Sequence, residues 1–351
     1  MNTAKFSHEE TMGYLSSLAN EALELWDLPE GSKARLINVS ENETFLVEAP
    51  NGLKSILRIH RENYHTETAI SCEHAWSRAL NAEGGVKTPD ILPGKNGSTI
   101  QSATSEALGQ KRYLAMFEFV EGSEPGQQDD LTGGFEELGE IAAKTHVHSI
   151  DWDRPEPFER LVWDLDTVFG QDATWGHWRD GPNIGTQTRQ VLEQVETTVI
   201  ERLTQYGRKP DRFGLIHADM RLANLLITDD ETRLIDFDDC GLGWLMYDFA
   251  AGISFMEDDL RIPELKDAWV RGYRSIRPLS EEDETEIPTF IMMRRLALLA
   301  WIGSHSEVDI AKELAPTFAP ISEELGRKIP CVAGLINSAE AVTVVPFPVS
   351  C

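Results

Sequence analysis

Apolar positions recur at helical spacing through residues 7–26 (Met12, Leu15, Leu18, Ala19, Ala22, Leu23, Trp26), and Ser7 with Glu10 makes a capping-box pair at the start. From Ala34 the period drops to two. The runs 34–39, 44–49 and 54–61 read as three antiparallel strands, with Pro50-Asn-Gly52 as the turn between the second and third. Helical spacing returns over 64–81 and stops at Gly84-Gly85 and Pro89. Short strands at 90–93 and 99–102 flank the turn Lys95-Asn-Gly97, and 112–120 is a buried strand running into the turn formers Glu121-Gly-Ser-Glu-Pro-Gly126. Beyond it helices dominate, at 130–149, at 186–206 and onward to about residue 326. The pattern predicts an α+β chain with an antiparallel sheet first and a mainly helical part second.

One polar loop interrupts this order. Gly214-Leu-Ile-His-Ala-Asp-Met-Arg-Leu-Ala-Asn-Leu-Leu-Ile227 sets His217, Asp219 and Asn224 between two apolar strands, and Leu234-Ile-Asp-Phe-Asp-Asp239 follows with three carboxylates. Apolar flanks tie such a loop to a core, so its polar groups sit on rigid supports. An Asn and an Asp past the next strand form the oxygen-rich set that Mg²⁺ with a nucleotide phosphate prefers. Asp219 remains to accept a proton from an attacking hydroxyl. Taken singly, an Asp-Asn pair of this kind caps neighbouring backbone; two linked motifs in order point to a site.

The spacing His-x-Asp-x-x-x-x-Asn followed by Ile-Asp-Phe-Asp resembles the aminoglycoside phosphotransferase/choline kinase family, including its homoserine-kinase and stress-response-kinase branches. The resemblance covers roughly residues 30–325 and implies a bilobal protein-kinase-like fold. Its lobes are expected at 1–120 and 121–327, with the apolar, proline-bearing tail 328–351 unassigned. It implies ATP and Mg²⁺ as cofactors. Asp219 is the expected base, with Arg221 offsetting charge on the transferring group and His217 anchoring the loop. Asn224 and Asp236 are the expected metal ligands, with Asp238 as a further one. On the third strand Ile56, Arg58 and His60 share a face. Arg58 stands where the family carries Lys; it keeps the charge and changes the geometry. Glu73, amid apolar positions of the next helix, is its expected partner. The turn Ser40-Glu-Asn-Glu43, with Asn42, occupies the place of the phosphate-covering loop but has no glycine. Glu118 to Val120 are expected to hold the adenine edge through their backbone. Asp248, in Tyr247-Asp-Phe-Ala250, is expected to steady the catalytic loop. Arg294 and Arg295 read as solvated helix arginines, with neutralising phosphate or an acidic acceptor the alternative for one of them, and His146 as a packed core or capping histidine.

Composition narrows this further. The formal charge is −27 over 351 residues. So acidic a chain is repelled by nucleic acid and anionic lipid, which excludes both as partners. Solubility accounts for such a charge, and attraction of a cationic amine is the sharper reading. Residues 151–180 are irregular and aromatic-rich (Trp152, Phe158, Trp163, Phe169, Trp175, Trp178), which makes them a candidate for acceptor choice, as an aromatic box or as plain packing. No apolar run approaches a membrane span, and no signal segment precedes residue 10, so the cytosol is the expected compartment. Cys72, Cys240, Cys331 and Cys351 lack metal spacing and read as reduced thiols. The expected reaction is phosphoryl transfer from ATP to a hydroxyl of a small molecule: an amino alcohol, a hydroxy amino acid or an aminoglycoside-like acceptor. A Ser/Thr protein kinase of the stress-response type and a nucleotide-binding pseudokinase are the alternatives; the second is disfavoured because Asp219, Asn224 and Asp236 are all present.

Overall fold

The computed structural model describes residues 6–125, 131–228 and 231–329. Most of the tail, with Cys331 and Cys351, lies outside these, as does Gly126 of the expected turn. In chain order the elements are α1 (His8–Ala22), β1 (Lys33–Val39), β2 (Glu43–Glu48), β3 (Lys54–Ile59), α2 (Glu67–Ala79), β4 (Ile91–Leu92), β5 (Gln101–Ser105) and β6 (Gln110–Glu118). There follow α3 (Leu131–Asp151), β7 (Leu161–Trp163), α4 (Leu165–Phe169), α5 (Thr186–Tyr206), β8 (Phe213–Ile216), β9 (Leu225–Ile227), β10 (Thr232–Leu234) and β11 (Gly241–Trp244). The chain then runs through α6 (Tyr247–Gly252), α7 (Ile262–Ile276), α8 (Glu281–Ser304), α9 (Asp309–Leu314) and α10 (Phe318–Gly326). Antiparallel sheet comes first and helices follow, so the α+β class and kinase-like order read from the sequence hold. The segment 151–180 is more regular than its composition suggests, since β7, α4 and a 3₁₀ turn at Trp178–Asp180 fall within it.

These elements form two compact units, each discontinuous in sequence. The first comprises Met1–Asp129, Val147–Leu161 and Leu222–Cys240; the second comprises Asp130–His146, Val162–Arg221 and Gly241–Cys351.

In the first unit the antiparallel sheet has the order β1-β2-β3-β6-β4, with β5 also paired to β6. The period-two pattern sends Phe45, Val47, Leu57, Ile59, Leu114 and Met116 to one face, where the apolar stripe of α1 (Leu15, Leu18, Ala22), with Trp26 just beyond it, covers them. The capping box at Ser7 and Glu10 starts α1, with bonds of 3.2 and 2.7 Å. The opposite face is left for Arg58, which pairs with Ala115 in register and lies 5.1 Å over the Phe117 ring. A separate hairpin, β9–β10, pairs Leu225 with Leu234.

The second unit packs helices around the small sheet β7-β11-β8. Helix α8 is its centre. It carries an 18-residue window of mean hydropathy 1.2, long and apolar enough by composition to cross a membrane, and 78% of that window is buried inside the protein. The expectation that no apolar run reaches this length is therefore corrected; burial on all sides of a core helix produces the same composition as lipid. Arg294 and Arg295 on α8 are each 2% exposed, not solvated. Helices α3 and α7 touch backbone to backbone. A Cβ at Gly272 would stand 1.8 Å from the carbonyl oxygen of Glu136, which only glycine allows.

Candidate active site

The β9–β10 hairpin sets the geometry of the first unit's polar cluster. Its register continues past the strands, with the Ile235 amide donating to the Asn224 carbonyl at 2.9 Å. Asn224 before β9 and Asp236 after β10 are thereby brought to one end of the hairpin. Asp236 adopts a left-handed φ of 64°, a conformation in which Asp is enriched. Its side chain is 42% exposed, and Arg58 donates to it at 2.8 Å. The other arm of the Arg58 fork donates to Glu73 at 2.8 Å, and Asp238 lies 3.8 Å away. The structure thus brings Arg58, Glu73, Asp236 and Asp238 together.

Burial makes each of these charges depend on its partners. Burial alone raises the Glu73 carboxyl, but the guanidiniums of Arg58 and Arg160 outweigh it and hold the group below the usual carboxylate range. Burial works against the Arg58 charge, and Glu73, Asp236 and Asp238 overcome it, so the arginine is locked in its charged form. Asp238 is 5% exposed. The His65 ring bonds its carbonyl at 3.0 Å and lies 3.4 Å from its carboxylate, while His60 lies 3.7 Å from the same oxygen. Burial drives His60 down to about 3, so it is a neutral ring. Arg160 was not legible in advance. Its guanidinium is buried, lies 3.7 Å from Glu73, and donates to the carbonyls of Ala69, Phe237, Asp238 and Cys240. No local pattern marks an arginine whose partners are backbone groups far away in sequence. Burial also pushes the Cys240 thiol up to about 12, and Cys72 and Cys240 are both free thiols.

Three other predicted residues lie at or just beyond the ends of strands of this sheet. The buried Asn42 side chain accepts from the Arg61 amide at 3.0 Å, tying the β1–β2 turn to the end of β3. Glu118 ends β6; its amide donates to the Asp90 carbonyl at 2.8 Å, and its carboxylate accepts from Arg233 at 2.8 Å. Val120 follows two residues on and is half-buried.

In the second unit the loop expected to be catalytic, with His217, Asp219 and Arg221, hangs from β8. Ala218 has a left-handed φ of 65°, strained for an alanine, and the turn is held by Asp248. Asp248 accepts from the His217 amide at 3.1 Å and from the Ala218 amide at 2.7 Å. His146 stands 2.9 Å from the same carboxylate and 3.0 Å from the Tyr273 hydroxyl, to which Arg277 also donates at 3.0 Å. Arg277 spends a donor on the hydroxyl, the hydroxyl donates to Nδ1 and Nε2–H donates to Asp248, a chain that satisfies every polar atom in it. His217 is fully buried, and its Nδ1 accepts from the Asp219 amide at 3.3 Å. Arg221 and Arg294 both meet the Asp219 carboxylate, at 3.2 and 3.1 Å.

The aromatic segment packs against the protein's own arginines. Arg294 lies 5.1 Å over the Trp175 ring and Arg179 lies 4.5 Å over Trp178, while Trp163 and Trp175 pack at 4.8 Å. These ring faces already have cations, which supports the packing reading of this segment over the aromatic box.

An oxygen-donor pair at a hairpin end and a buried Arg–Glu pair on antiparallel sheet in the first unit, and an Asp-bearing loop in the second, are compatible with a kinase-like phosphotransferase. The chain belongs to the phosphotransferase enzyme family, whose model matches residues 33–279. It is similar to a microcompartment-associated aminopropanol kinase of known structure, with 38% identity, a TM-score of 0.83, and coverage of 91% of this chain and 98% of that one. It is also 24% identical to the amicoumacin kinase of Bacillus subtilis over 76% of this chain and 79% of the relative. The amicoumacin kinase hAmiN, solved with AMP-PNP, Ca²⁺ and Ami, shares the fold at a TM-score of 0.73 and 19% identity over 91% of this chain and 96% of that one. The protein is an ATP-dependent phosphotransferase of this small-molecule kinase family.

Proposed function

We propose that this protein transfers the γ-phosphate of ATP to the hydroxyl of a small amino alcohol. The observation that carries the reading is the pairing of Asn224 and Asp236 at one end of the β9–β10 hairpin, with Arg58 gripping Asp236 and Glu73 at 2.8 Å each. The donor chemistry fits Mg²⁺, since both groups offer hard oxygens and Asp236 is open to solvent. Among the described residues no group of three or more His, Cys, Asp or Glu could hold an ion alone. That suits a cation completed by substrate phosphates and water. Bound Mg²⁺–ATP would supply the phosphoryl group and the charge that offsets its transfer.

The chain's own residues have separable tasks. Asn224 and Asp236 hold the metal, with Asp238 close behind. Arg58, set by Glu73, holds nucleotide phosphate. The Glu118 amide is already committed, so this residue would meet adenine through its carbonyl, and Val120 through its amide; Asn42 fixes the turn over the phosphates. Asp219 orients the acceptor hydroxyl and takes its proton, and Arg221 offsets charge on the transferring group. His217 anchors the loop. An amine-bearing acceptor is supported by the likeness to the aminopropanol kinase and by the charge of −27, which draws cations.

An ATP-consumption screen over amino alcohols, hydroxy amino acids, aminoglycosides and a generic protein substrate tests this. The reading expects the highest kcat/KM among the amino alcohols. Preference for the protein substrate would replace it with the protein-kinase alternative.

A further inference from the structure

We propose that Arg294 is a positioning residue that fixes the Asp219 carboxylate for proton transfer, an inference that rests on the role given to Asp219 above. Arg294 sits in the middle of α8, where its neighbours Leu296, Ala297, Leu298 and Leu299 are apolar and buried. A guanidinium is costly in such a place unless a countercharge meets it. A well-packed apolar side chain would serve a purely structural position at least as well. The countercharge here is Asp219, whose Oδ1 accepts from Arg294 Nη2 at 3.1 Å. Arg294 is itself immobilised. Its Nε donates to Ser254 Oγ at 3.2 Å, and its plane lies 5.1 Å from the Trp175 ring and 5.7 Å from the Tyr247 ring.

Arg221 also reaches Asp219, yet the two contacts differ. The Arg221 side chain is 29% exposed and that of Arg294 3%, so water screens the first pair and not the second. A carboxylate base rotates about its last torsion unless something holds one oxygen. Arg294 holds Oδ1 from a rigid helix, which sets the carboxylate plane, while the more exposed Arg221 donates from Nε to Oδ2 at 3.3 Å. Rigid support behind a reacting group is worth about a hundredfold in rate, the cost of an ångström of misplacement.

Kinetics of Arg294→Met, Arg294→Lys, Asp219→Asn and the Arg294→Met/Asp219→Asn double variant test this, with ATP and the best acceptor of the screen. Arg294→Met is expected to lower kcat about 100-fold with KM for ATP within about twofold of the parent. Arg294→Lys keeps charge without the fork and is expected to recover about tenfold of that loss. In the Asp219→Asn background the Arg294→Met change is expected to cost less than about threefold, because a group acting through Asp219 has nothing left to act on. If Asp219→Asn loses turnover but Arg294→Met keeps it, or if the two losses multiply in the double variant, Arg294 has no positioning role and the Asp219 assignment stands. Full turnover in Asp219→Asn removes the assignment itself. Should Arg294→Met not fold, Arg294→Lys carries the test: unchanged kcat in that folded variant overturns the inference, and a tenfold loss that disappears beside Asp219→Asn supports it.

Discussion

Arg58 in the first unit and Asp219 in the second are each held by opposite charges, but the balances differ in sign. Around Arg58 two guanidiniums, its own and that of Arg160, face three carboxylates, Glu73, Asp236 and Asp238. Around Asp219 one carboxylate faces two guanidiniums, Arg221 and Arg294. The first cluster carries an anionic excess suited to a cation. The second carries a cationic excess suited to a phosphoryl group. The supports differ as well. The first cluster is held by ion pairs that are buried except at Asp236, whereas the Asp219 loop is held by a hydrogen-bond chain from Arg277 through Tyr273 and His146 to Asp248 and two backbone amides. A charge cluster binds by charge, and a hydrogen-bond frame sets direction.

Replacing Glu73 by Ala attacks the first kind of support and has the largest expected effect. Two buried guanidiniums then share one carboxylate fewer, which costs about 3–5 kcal/mol of stability and weakens ATP binding. Urea melts and KM for ATP read both; a loss below about 1 kcal/mol would mean that solvent, not Glu73, balances Arg58. Asp248→Asn attacks the second kind. An amide cannot accept from two backbone N–H groups and His146 as a carboxylate does, so a cost of about 2 kcal/mol is expected, with kcat falling while KM for ATP holds. Equal changes in both constants would show that the loop frame also shapes nucleotide binding.

The smallest expected effect concerns His74, beside Glu73. Burial lowers its pKa to about 4 from 6.5, with the Thr99 hydroxyl 3.1 Å from its ring. Its folded-state pKa lies below its unfolded one, so its stabilising contribution is complete above pH 6.5 and is lost as pH falls toward about 4. The parent is expected to lose about 1 kcal/mol from this group between pH 7 and pH 5.5, and His74→Gln to lack that component of the acid limb. Parallel pH profiles in the two proteins would place the acid sensitivity elsewhere.

Much of this was readable from residues alone because the signals are local. The alternation of β3 sets Ile56, Arg58 and His60 on one face, and the helical period of α2 puts Glu73 among apolar positions; that the two pair is what the resemblance implied. The order of Asn224, a hairpin and Asp236 likewise predicts one end of one hairpin. Properties set by distant partners were not readable. Arg160 donates to backbone carbonyls in two distant segments, at Ala69 and at 237–240. Arg294 and Arg295 look solvated in a linear reading because a core helix and an amphipathic helix share the same apolar residues; Glu257, 2.5 Å from Arg295, reveals the difference. The units interleave three stretches of chain each, which no composition shift marks.

The most direct test of the account is the turnover of Asp219→Asn, measured as initial ADP release at saturating ATP with an amino alcohol acceptor. Losing a positioned base is expected to reduce kcat about 10²–10⁴-fold with KM for ATP close to that of the parent, and to lower thermal stability because the buried Arg294 loses its countercharge. Turnover at the parent rate by the folded variant would contradict the account.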